Sequence, residues 1–140
     1  MSRLNEVHGL LSGLLSTFAT AQSLEVKYEG VIEDPSTSTY LHEVLLPGEF
    51  DGHHLGPTAP DSGPVIYQVN VVTTLGQWGI AYGISRLFFS TDYFYRGRAF
   101  ANAALTTRMI VLKRSAGPMI PDDTKHILPM SVTLRAYMSA

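Results

Sequence analysis

At the centre of the chain stands the segment Val65-Ile66-Tyr67-Gln68-Val69-Asn70-Val71-Val72-Thr73-Thr74. Val65, Tyr67, Val69 and Val71 fall on one side of an extended chain, and more polar residues alternate with them. An alternation with period two is typical of a β-strand with one buried face. Apolar residues occur on both sides near the ends of the segment, which predicts a central strand of a sheet.

Two segments with helical periodicity flank this region. Residues 4–18 place apolar side chains at i, i+3, i+4 and i+7 spacing, which predicts an amphipathic helix. Residues 77–90 show the same period with a wider apolar arc, so we expect a second helix that is well buried.

The remaining strands follow the period-two pattern less strictly. Residues 24–32 and 40–46 alternate on either side of the turn-forming sequence 34–38, which predicts a hairpin. Residues 105–113 and 127–137 form a late pair of strands. This order predicts a single α+β domain over 1–140: a mostly antiparallel sheet, two helices on one face, and a long loop (47–64) between strands 2 and 3.

The amino-acid composition excludes several classes of protein and site. The 140 residues contain no cysteine, which excludes a disulfide scaffold, a thiolate metal site and a cysteine nucleophile. No run of about 18 apolar residues occurs, so we expect no membrane-spanning helix. The net charge is −2, but residues 1–62 carry −7 and residues 63–140 carry +5. Such a split indicates either complementary surfaces on neighbouring subunits or halves that intermix within one domain.

The sequence gives no positive support for an enzyme or a cofactor. His53-His54 is the one pair that resembles metal ligands, and it lacks a third fixed ligand. No nucleophile elbow, dinucleotide fingerprint or phosphate-binding loop is present. Basic and aromatic residues mix between 93 and 114, a pattern found in single-stranded nucleic-acid binders. The alternative is a set of core aromatics with arginines paired to acidic groups.

Three blocks of the sequence resemble the small tail terminator proteins of tailed bacteriophages. The first is Gly30-Val31-Ile32-Glu33-Asp34-Pro35-Ser36-Thr37-Ser38-Thr39-Tyr40-Leu41, running on to Leu45-Leu46-Pro47. The second is Tyr67-Gln68-Val69-Asn70-Val71-Val72, followed by Gly76-Gln77-Trp78-Gly79. The third is Leu128-Pro129-Met130-Ser131-Val132-Thr133-Leu134-Arg135-Ala136. Their order and spacing cover nearly the whole chain.

The resemblance implies a structural virion protein without catalysis. It would form a homohexameric ring in the tail or neck of a virion assembled in the host cytoplasm, and would cap the tail tube and end its polymerisation. Its partners would be the major tail tube protein and a neck or head-completion protein, with DNA passing through the ring without specific binding. The alternatives are another neck ring component, such as a head-tail connector, and a single-stranded nucleic-acid-binding accessory protein.

Two sets of contact residues follow as expectations. A ring needs a different patch on each side of the subunit. We expect acidic residues of the first hairpin to approach arginines of the next subunit: Glu25, Glu29 and Glu33 against Arg96, Arg98, Arg108 and Arg114. We expect the long loop to reach a tube or neck protein through Phe50, Asp51, His53, His54 and Leu55.

Overall fold

A computed structural model of the protein describes residues 4–30, 38–47, 51–52, 61–122 and 124–138, with backbone only at residues 4, 5, 47, 51, 52 and 61. Two helices and eight strands occur within these ranges. In chain order they are α1 (Leu4–Ala21), β1 (Glu25–Lys27), β2 (Tyr40–Pro47), β3 (Asp51–Gly52), β4 (Asp61–Thr74), α2 (Trp78–Phe88), β5 (Ala99–Ala101), β6 (Thr107–Ala116), β7 (Ile120–Asp122) and β8 (Lys125–Met138).

All eight strands belong to one sheet. Its order is β1-β2-β4-β8-β6-β5, with β3 pairing to β4 and β7 pairing to β8. The long strands β4 and β8 pair along their whole length, and β1 and β5 form the two edges. Every pairing except β1 with β2 is antiparallel. The predicted α+β class with a mostly antiparallel sheet is therefore confirmed.

The core lies between one face of the sheet and both helices. Val65, Tyr67, Val69 and Val71 of β4 are fully buried and stand opposite alternate residues of β8, each also buried: Leu134, Val132, Met130 and Leu128. The helices add a further set of buried side chains, namely Val7, Leu11, Leu15 and Phe18 of α1 and Ala81, Ile84 and Phe88 of α2. The rings of Phe18 and Phe88 meet edge to face at 5.3 Å between centroids, so the helices share one hydrophobic core.

The predicted hairpin is wrong. Strands β1 and β2 pair in parallel, with Glu25 opposite Tyr40 and Lys27 opposite His42. Residues 28–39 connect them, and a dozen residues is the length that a parallel connection needs. The turn-forming residues at 34–38 had suggested that the chain reverses its direction between the two strands. The connection is long enough, however, for the chain to return to the end of the sheet at which β1 begins, so β2 can run in the same direction as β1.

The boundaries predicted for the long loop also differ from those in the structure. The sequence placed it at 47–64, whereas β2 continues to Pro47, β4 begins at Asp61, and Asp51–Gly52 pairs with Ser62 and Asp61 as the short strand β3. Backbone pairing therefore extends into residues whose proline and glycine content had indicated a loop.

Strand β6 contains a bulge that determines which side its basic residues occupy. Its register against β8 shifts between Val111 and Lys113. Lys113 then stands opposite Thr133, on the face of the sheet away from the helices, and Arg114 stands opposite Val132, on the helix side. A bulge redirects the side chains that follow it, so the bulge turns Arg114 towards α2.

Neither helix in the described part of the chain is long and apolar enough to cross a membrane.

Candidate interaction surfaces

A buried carboxylate joins α1 to the sheet. The side chain of Glu43 in β2 has no solvent exposure, because alternation places it on the core face between Leu41 and Leu45. Ser12 Oγ donates to it at 2.5 Å, and His8 Nε2 lies 2.7 Å from its Oε1. The Tyr67 hydroxyl also donates to it, and the Glu29 amide approaches at 3.3 Å.

Burial and the hydrogen bonds of this network shift the pKa values of Glu43 and Tyr67. Burial alone raises the pKa of Glu43, but hydrogen bonds from Ser12, Tyr67, His8 and the Glu29 amide outweigh burial and hold that pKa below its ordinary value. Burial and the charge of Glu43 raise the pKa of the Tyr67 hydroxyl, which therefore stays protonated as a donor. Ser12 donates to the carboxylate rather than to His8, so the trio lacks the bond that activates a serine nucleophile. The arrangement therefore fits a structural clamp.

Two of the predicted interface arginines bind within their own chain. Arg98 donates to the carbonyl oxygens of Asp92 at 2.8 Å and Tyr93 at 2.7 Å. Its guanidinium also lies over the rings of Tyr95, at 5.9 Å, and Phe100, at 5.7 Å from the ring centroid. These contacts fix the connector between α2 and β5.

Arg114 binds the end of α2. It donates to the carbonyl oxygen of Phe89, the residue that follows the helix, and lies 5.6 Å from the centre of the Phe89 ring. A cation at a helix C-terminus is favourable because the carbonyl groups there carry partial negative charge. Arg114 therefore locks α2 against β6.

The other predicted interface residues lie at opposite ends of the sheet. Glu25 is exposed on the edge strand β1, and Glu29 follows β1 and accepts from the Leu45 amide at 2.9 Å. Arg96 is exposed in the connector before β5, and Arg108 is exposed on β6 opposite Tyr137. The strand order thus separates the acidic pair from the basic pair.

Several predicted contact residues cannot be placed. Glu33, Phe50, His53, His54 and Leu55 lie outside the described residues, and only the backbone of Asp51 is described, in β3. Within the described ranges, no three His, Asp or Glu side chains are grouped as metal ligands.

The outer face of α2 exposes apolar side chains that the sequence had suggested were buried. Trp78 is 56% exposed, and Tyr82 is nearly as accessible one turn later, with the two rings 6.4 Å apart. Ile80 and Leu87 are exposed on the other flank of the helix. A helix with so wide an apolar arc is covered on all sides only in a large protein or a membrane, so in a chain of 140 residues the width of the arc was the available signal for an exposed apolar face.

Two glycines lie between these flanks. With about 100° per residue, Gly79 and Gly83 fall between the flank of Trp78 and Tyr82 and the flank of Ile80 and Leu87. A Cβ atom built on either glycine would meet nothing within 4 Å. The outer face of α2 is therefore a shallow groove with apolar sides and an open helix backbone at its floor; we call it the α2 groove.

A basic cleft lies at the C-terminal end of this groove. Arg86 comes one turn after Tyr82 on the same flank, and with Phe89, Arg114, Ser115 and Ala116 it lines an open cavity of about 450 Å³. Arg114 is already positioned there by its contacts with Phe89. The cleft therefore presents two guanidinium groups, which suit a carboxylate or another anion.

The sheet face away from the helices also carries exposed apolar residues. Leu46 and Ile66 stand opposite each other on β2 and β4 and are both exposed. Near the other edge, Tyr137, Arg108 and Ile110 line a second open cavity of about 340 Å³ together with Ala99 and Met109. This face and the α2 groove are separate surfaces of the same small domain.

Comparison with known proteins gives a structural relationship without a functional one. No protein-family model matches the sequence, and neither does any curated protein. Among solved structures, one chain without a descriptive name superposes with a TM-score of 0.70 at 18% identity, over 95% of this chain and 94% of that chain. At this identity the likeness shows a shared fold and no more.

Proposed function

We propose that the protein is a ring-forming structural component of a tailed-phage virion, a tail terminator that caps the tail tube. The observation that carries the proposal is the presence of two separate exposed apolar surfaces, the α2 groove and the open sheet face, on one small domain. A closed ring with more than two subunits requires a different patch on each side of the subunit. The three sequence blocks quoted above resemble tail terminators, and this resemblance is the reason for naming that role.

The charge distribution supports the same proposal. Of the described residues in β1 and directly after it, Glu25 and Glu29 are acidic and Lys27 is basic. Residues 86–114 carry six basic residues and one acidic residue. Because β1 forms one edge of the sheet and β5, next to β6, forms the other, opposite charges would face each other in a head-to-tail arrangement.

The nucleic-acid-binding alternative was inferred from residues 93–114, and that segment supports it less in this geometry. Arg98 and Arg114 already donate to backbone carbonyls of their own chain, and Phe94 is buried, stacking on Phe88 at 4.6 Å. Stacking on bases requires exposed aromatic faces next to available cations. A head-tail connector is a ring as well, so the test must distinguish the position of the ring along the tail.

The experiment is tube assembly in vitro with the major tail tube protein of the same genome. Native mass spectrometry and electron microscopy of the purified protein come first, and we expect closed rings of six subunits. Added to growing tubes, the protein should bind at one end and stop elongation. A ring that binds heads but leaves tube length unchanged would identify a connector instead. A monomer that retains oligonucleotide in low salt would favour the nucleic-acid alternative.

A further inference from the structure

Within the described part of the chain, the second half of strand β6 has a neighbouring strand on one side only. Its inner side pairs with β8, whereas β5 pairs only with residues 108–110 on its outer side. The connector before β5 then covers Val111, because the Gly97 amide donates to its carbonyl oxygen and the Val111 amide donates to that of Arg98, both at 2.8 Å. Residues 112–116 follow without such cover and are all exposed, so they form an open sheet edge, which we call the β6 edge.

A hydrogen bond just after β6 shows which backbone groups of this edge point outwards. The Gly117 amide donates to the Pro129 carbonyl oxygen at 2.9 Å, so these two residues are a hydrogen-bonded pair. Such pairs alternate along an antiparallel ladder, and Ser115, two residues earlier, therefore bonds to β8 in the same way. The N–H and C=O groups of Arg114 and Ala116 then point away from β8, where an added strand can bind them.

The basic cleft lies beside the β6 edge, on the helix side of the sheet. Arg114 and Ala116 both stand opposite buried residues of β8, so their side chains face the helices. Together with Arg86 and Phe89 they line the cleft, whose lining contains two guanidinium groups and no carboxylate. A guanidinium has five N–H donors, and Arg114 gives one of them to the Phe89 carbonyl oxygen, so further donors remain for a ligand.

The charge of this surface decides which strand it can accept. If two copies of the chain paired through their β6 edges, two lysines (Lys113) and two arginines (Arg114) would share one short interface, and like charges on paired strands repel. A strand with acidic side chains avoids this repulsion, and its carboxylate can bind the guanidinium groups by charge-assisted hydrogen bonds.

We propose that the β6 edge and the basic cleft together bind an extended acidic segment of another protein, which adds a strand to the sheet. The segment carries an acidic residue opposite Arg114, where Arg86 also reaches it, and an apolar residue two positions away, opposite Ala116 and near Phe89. Residues two positions apart in a strand face the same side, so both enter the cleft. This inference goes beyond the proposed ring and does not depend on it.

The first test uses a synthetic peptide that fits either strand direction. In Thr-Val-Thr-Glu-Thr-Val-Thr, labelled with fluorescein, the glutamate and both valines lie on one side of an extended chain. Fluorescence anisotropy with the full-length protein measures the dissociation constant. Replacement of the peptide's glutamate by glutamine should raise that constant about 10-fold or more, because the charge-assisted bonds to the arginines are lost.

The second test asks whether the peptide backbone pairs with the β6 edge. One peptide carries N-methyl groups on its glutamate and valines, and another carries them on its threonines. Only one side of a strand bonds to the edge, so one set of methyl groups should abolish binding while the other set preserves it. Equal effects of the two sets would overturn strand addition.

The third test changes the protein. Arg86 is exposed on α2, so Arg86→Glu should leave the thermal midpoint unchanged while raising the dissociation constant of the peptide about 10-fold or more. Ala116→Pro removes an outward N–H group, which an edge strand tolerates, and should abolish binding. Arg108→Glu is the matched control: it makes the same change of charge at an exposed position earlier in β6, and should change the constant by no more than about 3-fold at physiological salt.

The remaining outcomes identify other occupants. Wild-type affinity in Arg86→Glu would overturn the role of the cleft. Self-association of the wild type that Arg86→Glu abolishes would make a second copy the occupant and overturn the proposal, although the ring would stand. A single-stranded oligonucleotide that displaces the peptide and binds more tightly would identify a nucleic-acid site and overturn it as well.

Discussion

Removal of the Glu43 carboxylate tests the clamp between α1 and the sheet. In Glu43→Ala the Tyr67 hydroxyl stays buried without an acceptor, and Ser12 loses its acceptor as well. Each buried donor left unsatisfied costs about 1–3 kcal/mol. Ser12, His8 and the Glu29 amide are only partly buried and can bond to water instead, so they add little.

The expected loss is about 1–3 kcal/mol in the free energy of unfolding, or roughly 3–10 °C in the thermal midpoint of a domain of this size. Circular dichroism during heating and during urea denaturation measures both quantities. All variants are compared at one protein concentration, because assembly raises apparent stability by mass action. Glu29→Gln keeps an acceptor for the Leu45 amide at an exposed site, and should change stability by no more than about 0.5 kcal/mol.

A second substitution separates this explanation from a simple packing defect. In the wild type, Tyr67→Phe removes a hydrogen bond and should destabilise the fold by about 1–2 kcal/mol. In Glu43→Ala the same change removes a donor that has no acceptor, so it should restore about 1–2 kcal/mol. If Tyr67→Phe destabilises both proteins equally, the two groups are not coupled and the reasoning is refuted.

Four further changes probe other parts of the fold. The pKa of Glu43 lies below its ordinary 4.5, so its contribution is present above that pH and is lost as pH falls; the stability gap between wild type and Glu43→Gln should shrink from pH 6 to pH 3 in parallel urea titrations. Arg98→Lys cannot reproduce the planar contacts to two carbonyls and two rings, and should cost about 1–2 kcal/mol by the same assay. Phe88→Ala empties the aromatic centre of the core and should cost about 3–5 kcal/mol; a loss under 1 kcal/mol would show that the core repacks. Deletion of residues 53–60 with a short glycine linker spares β3 and β4, and should leave a folded ring that no longer joins tails to heads; normal virions from such a mutant would contradict the role given to this loop.

The sequence could predict the elements whose pattern is local. Strict alternation identified β4 and β8, and the spacing from Val7 to Phe18 identified α1, because side-chain period depends on backbone geometry alone. The same alternation carries no information on strand direction. The parallel pairing of β1 with β2 was therefore missed, although the length of residues 28–39 allowed it.

The hydrogen-bond network of Glu43 could not be predicted from the sequence, because its members lie far apart along the chain. Alternation in β2 puts Glu43 on the core face, but its donors come from α1 and β4, far away along the chain. The charge asymmetry between the two halves could be read from the sequence, whereas the strand order that separates Glu25 on β1 from Arg108 on β6 could not.

By itself, the sequence determined the fold class, the two helices, the long central strands and the separation of charge, since each follows from composition or from a short repeating period. Only the tertiary structure decided which side of each element remains uncovered. The bulge in β6 turned Arg114 to α2, and the sheet covered only one flank of the apolar arc of α2. Whether a side chain is buried depends on how the sheet and the helices pack together. The exposure of Trp78 and of the glycines beside it could therefore be found only from the tertiary structure.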